Sequence, residues 1–311
     1  MYHVALGRPG VQLTVRFMVW GMSGTLATEH PEDLAFAADR LSFWLDEIDT
    51  SANRFRADSE LSILNARSEA IASSTFELAL LSAQTASIAT EGLCDPTVLP
   101  SLLALGYDAD FADVRSRRDS PLLPRRPAPG VAALSIDVAS HRVSLAPGVQ
   151  LDLGATAKAL AADLVADDLA KRGGVLVEIG GDVALRGHGP HGAWSVGVSD
   201  TLSVHAAQPR VSIAGGGIAT SSRASRTWRA GGRHVHHIID PRTGEPANGP
   251  YVVASVSSES CLRANAFATA ALIWGDDAPY HLAQARCAAR LVRSDGTVEF
   301  VGGWPLDEVA A

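Results

Sequence analysis

The stretch from His236 to Gly244 places an imidazole, a carboxylate and a hydroxyl close together in the sequence His-His-Ile-Ile-Asp-Pro-Arg-Thr-Gly. Pro241 restricts φ and Gly244 permits a positive φ, so the stretch predicts one apolar strand that ends in a sharp turn. Such a strand end holds polar side chains on a rigid base, as catalytic and phosphate-binding loops often do. An ordinary solvated turn would use the same residue types. The two adjacent histidines favour the functional interpretation.

A second candidate begins at Asp152, where Asp-Leu-Gly-Ala-Thr-Ala-Lys opens a predicted amphipathic helix. Amides at a helix start are unpaired and carry a partial positive charge, so they can bind an anion. Lys158 in the first turn adds positive charge there, and a bound anion would remove that conflict. The alternative is a lysine that points into solvent, which costs only about 0.3–1 kcal/mol. This segment alone leaves both open.

Two glycine-containing stretches could admit a ligand close to the backbone. Gly180-Gly181-Asp182 lies between two predicted strands, where paired glycines permit close approach but also mark ordinary bulges. Residues 215–222 combine glycines with three hydroxyls and could hold a phosphate, but they lack the Gly-Lys-Ser/Thr order of a P-loop. The sequence also contains no GxSxG or HExxH motif, so nothing in it indicates a serine hydrolase or a zinc protease.

Asn265 and Thr269 lie four residues apart in an alanine-rich stretch, on one face of a predicted helix. Oxygens one turn apart can both face a hard cation such as Mg²⁺. Small polar residues in such a helix also serve simply as packing residues, and the pair by itself does not exclude that role.

The elements that must position these residues follow from hydrophobic periodicity. Helices and strands are mixed without regular βαβ alternation, which predicts an α+β fold. Residues 113–130 carry five arginines and several prolines, so we expect an exposed connector there. Predicted helices cover about 31–49, 74–90, 155–171 and 264–274. Predicted strands cover 11–28 with breaks at Gly21 and Gly24, 134–138, 142–145, 175–179, 194–198, 211–213 and 236–239, before a closing αβ segment.

The composition narrows the class of protein. A chain of 311 residues with 47% hydrophobic and 19% charged residues is typical of a globular protein. Its net charge of −8 argues against nucleic-acid binding, and an acidic protein that handles phosphates needs a local cation. The three cysteines have no paired spacing and suggest reduced, buried residues. Residues 1–16 resemble no leader or membrane anchor, so we expect a cytoplasmic protein without stable membrane association.

Taken in order along the chain, seven segments resemble the motifs of the ApbE family of FAD:protein FMN transferases. The resemblance spans roughly residues 20–275. The last segment, His-Ile-Ile-Asp-Pro-Arg-Thr-Gly, matches the family's His-Ile-Ile-Asp-Pro-x-Thr-Gly. The matching segments are Met22–Thr25, Ser51–Arg56, Ser59–Asn65, Gly92–Val98, Asp152–Lys158, Gly180–Asp182 and His237–Gly244.

The resemblance implies a single ApbE-like, T-fold-like domain over residues 1–311, with mixed and antiparallel sheets, helices and a ligand cleft between two lobes. It implies that Mg²⁺ assists transfer of the FMN moiety of FAD to a threonine of a partner protein, with release of AMP. His237 and Asp240 would lie at the catalytic end, and His237 is the candidate base because its reference pKa is near 6.5. The implied FAD-binding residues are Met22, Asp95, Thr97, Lys158, Asp182, Ser221 and Thr243. The implied metal ligands are the Ala157 carbonyl, Asn265 and Thr269.

Three positions depart from the family pattern. Asn265 stands where the family has an aspartate, so one negative charge is lost from the metal site. Ala159 and Ser222 each replace a glycine, which reduces the room near the backbone. Two alternatives therefore stay open beside transfer: an FAD-binding protein with weak or no turnover, and an FAD pyrophosphatase that forms FMN and AMP with water as the acceptor.

Overall fold

The computed structural model describes residues 3–5, 14–189, 192–198 and 209–304. The helices are α1 (Leu34–Ala52), α2 (Glu60–Arg67), α3 (Ser74–Ala89), α4 (Leu99–Ala104), α5 (Phe111–Ser116), α6 (Ala157–Leu169), α7 (Cys261–Trp274) and α8 (Ala278–Gln284). The strands are β1 (His3–Ala5), β2 (Thr14–Val19), β3 (Met22–Thr28), β4 (Glu69–Ile71), β5 (Leu134–Asp137), β6 (Arg142–Leu145), β7 (Val175–Ile179), β8 (Asp182–Arg186), β9 (Trp194–Gly197), β10 (Arg210–Ile213), β11 (Gly216–Ser222), β12 (Thr227–Ala230), β13 (Arg233–His236), β14 (Ile239–Asp240), β15 (Glu245–Pro246), β16 (Tyr251–Ser258), β17 (Ala288–Arg293) and β18 (Val298–Val301).

A nine-stranded sheet organises the larger lobe, in the order β1-β2-β3-β7-β8-β11-β16-β17-β18. Neighbouring strands in it are antiparallel. Alternate residues of β7 point to opposite faces, and Val175, Val177 and Ile179 pack with α1, α3 and α6 in the main core. The opposite face packs against the β9–β10 hairpin around the buried Trp194.

Helix α7 lies against β11 and β16 because its apolar positions are mostly alanine, which lets the backbones approach closely. Its start is fixed by α6, since the Asp163 carboxylate accepts hydrogen bonds from the Cys261 and Leu262 amides at 3.1 and 2.8 Å. Arg186 of β8 pairs with the same carboxylate at 3.0 Å. Two helices that carry predicted site residues are thereby tied together.

A smaller lobe has its own apolar cluster, to which Leu102, Tyr107, Val114, Trp228 and Ile239 contribute. The cluster joins α4, α5 and the β12–β13 hairpin. The cavity between the two lobes agrees with the cleft that the resemblance implies. Helices packed on an antiparallel main sheet confirm the predicted α+β fold class.

The structure corrects two local predictions and adds one helix. Residues 236–239 do not form one strand: β13 ends at His236 and β14 begins at Ile239. Gly24 does not break a strand but lies inside β3, where a side chain would collide with the Phe17 ring. Helix α2 occupies a stretch that appears merely polar in the sequence, and Ser59 caps it by accepting a hydrogen bond from the Ser62 amide at 3.1 Å.

The predicted connector is largely exposed, but it begins inside α5 and contains two buried residues, Val114 and Ser120. The Ser120 amide bonds to the Arg229 carbonyl at 2.9 Å, which attaches the connector to the β12–β13 hairpin. Residues 11–13 of the first predicted strand region lie outside the described residues. Within the described part of the chain, no helix combines the length and the apolar character needed to cross a membrane.

Candidate active site

A cavity of about 840 Å³ lies between the two lobes. Its volume falls in the range of small-molecule and cofactor sites. The smaller lobe contributes Leu102, Tyr107 and Ile239 to its wall, and the larger lobe contributes the starts of α6 and β8 and the end of β11. The structure brings together here nine of the residues singled out in the sequence, namely Met22, Asp95, Ala157, Lys158, Asp182, Ser221, His237, Asn265 and Thr269.

The other three predicted site residues do not line this cavity. Thr97 lies behind Asp95: its hydroxyl and amide donate to Asp95 Oδ1 at 2.7 and 2.8 Å, so Thr97 orients that carboxylate. Asp240 accepts from the Arg242 guanidinium at 2.8–2.9 Å, and the Thr243 hydroxyl accepts from the Glu245 amide at 3.1 Å. Asp240 and Thr243 therefore shape the turn that follows His237.

His237 lies in the break between β13 and β14 and lines the cavity. Burial is the main cause that lowers the pKa of its imidazole to about 3. The charges of Arg226, His236 and Lys158 contribute in the same direction, whereas a hydrogen bond with the Arg226 backbone acts in the opposite direction. The ring is therefore neutral at neutral pH. Its Nδ1 is inaccessible to solvent and has no hydrogen-bond partner among the described residues. A neutral imidazole carries its proton on one ring nitrogen and a lone pair on the other, so the ring can accept one proton.

Lys158 does not point into solvent, and its positive charge is already paired without a bound anion. Its ammonium donates to the Gly154 carbonyl at 2.8 Å and pairs with Asp182 Oδ2 at 3.4 Å. The other oxygen of Asp182 accepts from the Asn265 side-chain amide at 2.7 Å. A positive charge in the first turn of α6 is unfavourable, because the helix dipole is already positive there. The buried Asp182 offsets this cost by pairing with Lys158.

The polar atoms around Asn265 fit a hard cation. Because the Asn265 amide nitrogen donates to Asp182, its Oδ1 is the free atom, and this buried oxygen has no hydrogen-bond partner in the described part of the chain. Thr269 lies one turn further along α7, and its Oγ1 is 3.2 Å from the Ser221 hydroxyl. The described residues contain no cluster of three His, Cys, Asp or Glu side chains that could hold a metal. The available oxygens are the amide of Asn265 and the hydroxyls of Thr269 and Ser221, so Mg²⁺ held by them would take its negative charge from a substrate phosphate.

The glycines of residues 215–222 do not cradle a ligand at the cavity. Thr220, Ser221 and Ser222 at the end of β11 line it, but Gly217 lies at the other end of that strand. A side chain at Gly217 would collide with the Cys261 backbone, so this glycine serves the packing of α7. At the β7–β8 turn, Gly180 has a φ of +60° and lies against the Met22 side chain. That turn brings Asp182 to the cavity.

The sequence profile of the ApbE family matches residues 11–291 of this chain. The chain belongs to the ApbE family. A relative from Vibrio cholerae named FAD:protein FMN transferase is 31% identical over 254 residues, which cover 79% of this chain and 75% of the relative. A relative of the same name from Rhodobacter capsulatus is 34% identical over 214 residues, 67% of this chain and 40% of the relative. These relatives are transferase enzymes by name.

Solved ApbE structures share the fold. The ApbE protein from Thermotoga maritima superposes with a TM-score of 0.82 at 22% identity, covering 94% of this chain and 97% of that chain. The flavin transferase ApbE from Vibrio cholerae superposes with a TM-score of 0.76 at 24% identity and the same coverage. The ApbE resemblance stated from the sequence motifs is confirmed.

Several residues of this ApbE-family cavity were not singled out as site residues from the sequence. Arg54 pairs with Asp152, and its guanidinium lies over the rings of Phe55 and Tyr107 at 3.9 and 4.7 Å from their centroids. Arg226 also lines the cavity. Arg54 and Phe55 lie in Ser51–Arg56, one of the segments that match the family, whereas Tyr107 and Arg226 lie in segments without a matching motif.

Proposed function

We propose that this protein transfers the FMN moiety of FAD to a threonine hydroxyl of a partner protein and releases AMP, with residues 1–311 acting as one flavin transferase domain. The observation that carries the proposal is the interlobe cavity, in which the partnerless Nδ1 of His237 lies beside a set of oxygen donors and paired cations. Membership in the ApbE family and relatives named FAD:protein FMN transferase support it.

The chemistry requires attack of the threonine oxygen on the phosphorus of the FMN half. The new O–P bond replaces the bond to the AMP phosphate, which leaves with the electron pair, and the hydroxyl proton must go to a base. His237 takes that proton, because its imidazole is neutral and keeps a lone pair on one ring nitrogen. Negative phosphate beside the ring raises the imidazole pKa from its low value in the protein alone.

The remaining side chains position the substrate. Lys158 supplies a positive charge beside Asp182, and Ser221 and Thr269 present hydroxyls to the same region. Mg²⁺, when bound by the Ala157 carbonyl, Asn265 and Thr269, would neutralise phosphate charge. Asp95, held by Thr97, lies at the cavity wall and contributes to the FAD site.

The Asn265–Asp182 hydrogen bond favours one alternative, an FAD-binding protein with weak turnover. The Asn265 side-chain amide is engaged in a hydrogen bond to Asp182. The proposed metal site also has one carboxylate fewer than the family pattern. FAD hydrolysis to FMN and AMP, with water in place of threonine, is the third outcome to be tested. The cytoplasmic location expected from the sequence stays a prediction.

Incubation of the purified protein with FAD, Mg²⁺ and a threonine-containing acceptor protein distinguishes these activities. Covalent flavin on the acceptor together with AMP supports transfer. Free FMN and AMP without acceptor labelling indicate hydrolysis, and bound FAD that persists without AMP indicates a binding protein. A threonine-to-alanine acceptor is the matched control, since it removes only the attacking oxygen.

A further inference from the structure

Arg226 presents a guanidinium to the interlobe cavity while neutral atoms hold it in place. Its Nη1 donates to the Tyr107 hydroxyl at 3.2 Å, and its Nη2 lies 3.1 Å from the Met22 sulfur. Neither partner carries charge, so neither neutralises the arginine. The residue is half-buried, which limits the water available to solvate it.

Two other positively charged side chains that line the cavity, Arg54 and Lys158, already have carboxylate partners. Arg54 forms an ion pair with Asp152, and Lys158 pairs with Asp182. Among the described residues, by contrast, no carboxylate forms an ion pair with Arg226. Arg115 also lines the cavity, but its residue is exposed to solvent. A partly buried arginine without a counter-charge is costly unless a ligand supplies one.

The position of Arg226 is set before any ligand arrives. Tyr107, which accepts its hydrogen bond, is buried and packs against Trp228 and Phe55 with ring centroids 5.3 and 5.8 Å apart. A side chain held on such a support loses little freedom when it binds. The positive charges of Arg226 and Lys158 both oppose protonation of the His237 imidazole, as burial does. Two cations therefore lie close to the candidate base.

We propose that Arg226 binds the diphosphate bridge of the dinucleotide substrate and is the residue that selects a diphosphate-bearing flavin over a neutral one. The proposal rests on the proposed function and names the group that recognises its substrate. A guanidinium offers a planar fork of donors that matches phosphate oxygens, and its charge stays fixed at all relevant pH values. Arg226 would supply positive charge in the cavity that is also lined by Asn265, the amide that stands where the family has a carboxylate metal ligand.

Binding of three probes to wild type and Arg226→Met tests the proposal. Dissociation constants for FAD, ADP and riboflavin are measured by calorimetry in the presence of Mg²⁺ and without acceptor. Methionine keeps an unbranched, flexible side chain and removes the guanidinium with its charge. We expect the dissociation constants for FAD and ADP to rise by about 10- to 100-fold, the range for a hydrogen bond to a charged group, and that for riboflavin to change less than about 2-fold.

Two further variants separate ligand binding from folding. Arg229→Met changes an exposed arginine of β12 whose guanidinium donates to the Gly232 carbonyl, and it should bind all three probes like wild type. Tyr107→Phe keeps the ring and removes the oxygen that orients Arg226, so it should weaken FAD and ADP binding in the same direction but less than Arg226→Met.

The outcomes are distinct. Equal weakening of FAD and riboflavin, or unchanged FAD binding in Arg226→Met, overturns the role of Arg226 while the transfer proposal stands. ADP binding that depends on Arg226, in a protein that forms no flavinylated acceptor, supports the diphosphate site and counts against transfer. A wild-type protein that binds neither FAD nor ADP rejects both.

Discussion

His237 acquires its properties from the break between β13 and β14. The two-residue interruption places the imidazole in the cavity, where burial and neighbouring positive charges lower its pKa to about 3. A histidine in a solvated turn would have a pKa near 6.5 and would be partly protonated at neutral pH. The cavity thus keeps the ring neutral at neutral pH.

Replacement of His237 by Asn should abolish proton acceptance while the cavity keeps its shape. We expect transfer to slow by about 10²- to 10⁴-fold, the usual contribution of a general base, with the FAD dissociation constant within a few-fold of wild type. Single-turnover labelling of an acceptor and FAD binding report the two quantities separately. The exposed His234→Asn is the control. A transfer rate unaffected by His237→Asn would remove the imidazole from the mechanism.

Asn265→Asp should change how the protein responds to Mg²⁺. A carboxylate at this position would face Asp182 across a contact that is now a 2.7 Å hydrogen bond, so the two charges would repel without a cation. We expect the variant without metal to melt a few degrees lower than wild type, and Mg²⁺ to restore more stability than it does in wild type. If weak metal binding limits turnover, activity should rise as well.

Thermal unfolding with and without Mg²⁺ measures this effect independently of activity. Asn265→Ala is the matched control, since it removes the hydrogen bond and adds no charge. It should be destabilised without the additional Mg²⁺ response. Equal Mg²⁺ stabilisation of the aspartate variant and of wild type would contradict the placement of the cation beside Asn265.

At the scale of elements, the contact of α6 with the start of α7 positions both helices that carry the proposed metal ligands. Asp163 closes this contact by accepting two α7 amides and pairing with Arg186. Burial raises the pKa of Asp163, while these three partners lower it. The carboxylate is therefore a buried structural group whose partners depend on it.

Asp163→Ala should destabilise the protein by about 2–4 kcal/mol, because it leaves two helix-start amides and a buried part of Arg186 without their acceptor. Asp167→Ala provides the control: Asp167 pairs with the same arginine at 2.6 Å but is 61% exposed, so its loss should cost less than about 1 kcal/mol. Urea unfolding of both variants measures the difference. Similar free energies of unfolding for the two would show that the α6–α7 contact does not depend on Asp163.

At the scale of the whole molecule, two adjacent histidines link folding to pH. Burial lowers the pKa of His236 to about 4 and that of His237 to about 3, whereas in the unfolded chain both lie near 6.5. The unfolded state therefore binds more protons below pH 6.5, and stability from these groups falls as the pH falls. Burial raises the pKa values of Asp95, Asp163 and Glu178, and these groups act in the opposite direction.

The contribution of one histidine is isolated by difference. Between pH 7 and pH 5, wild type should lose about 1–2 kcal/mol more stability than His237→Asn, because only wild type must keep that imidazole unprotonated. Denaturant unfolding at several pH values gives both curves. Parallel curves over this window would show that His237 is not held at a low pKa in the folded protein.

Local sequence signals predicted much of the framework. Helices α1 and α3 and strands β5 and β6 were predicted close to their observed positions, because periodicity and turn chemistry act over a few residues. The polar α2 was hidden because it shows little apolar patterning, although its Ser59 cap is a local signal. The break at His237 was also hidden, since apolar residues on both sides favour an uninterrupted strand.

The sequence by itself determined the α+β class, the family and nine of the residues that meet in one cavity. Only the tertiary structure decided that Thr97, Asp240 and Thr243 do not line that cavity, and that Arg226 does. The reason is that charge pairing and burial depend on contacts far apart in the chain. Arg226 reaches Met22 across 204 residues, and Asn265 reaches Asp182 across 83. No pattern within a short window of sequence specifies which of those partners meet.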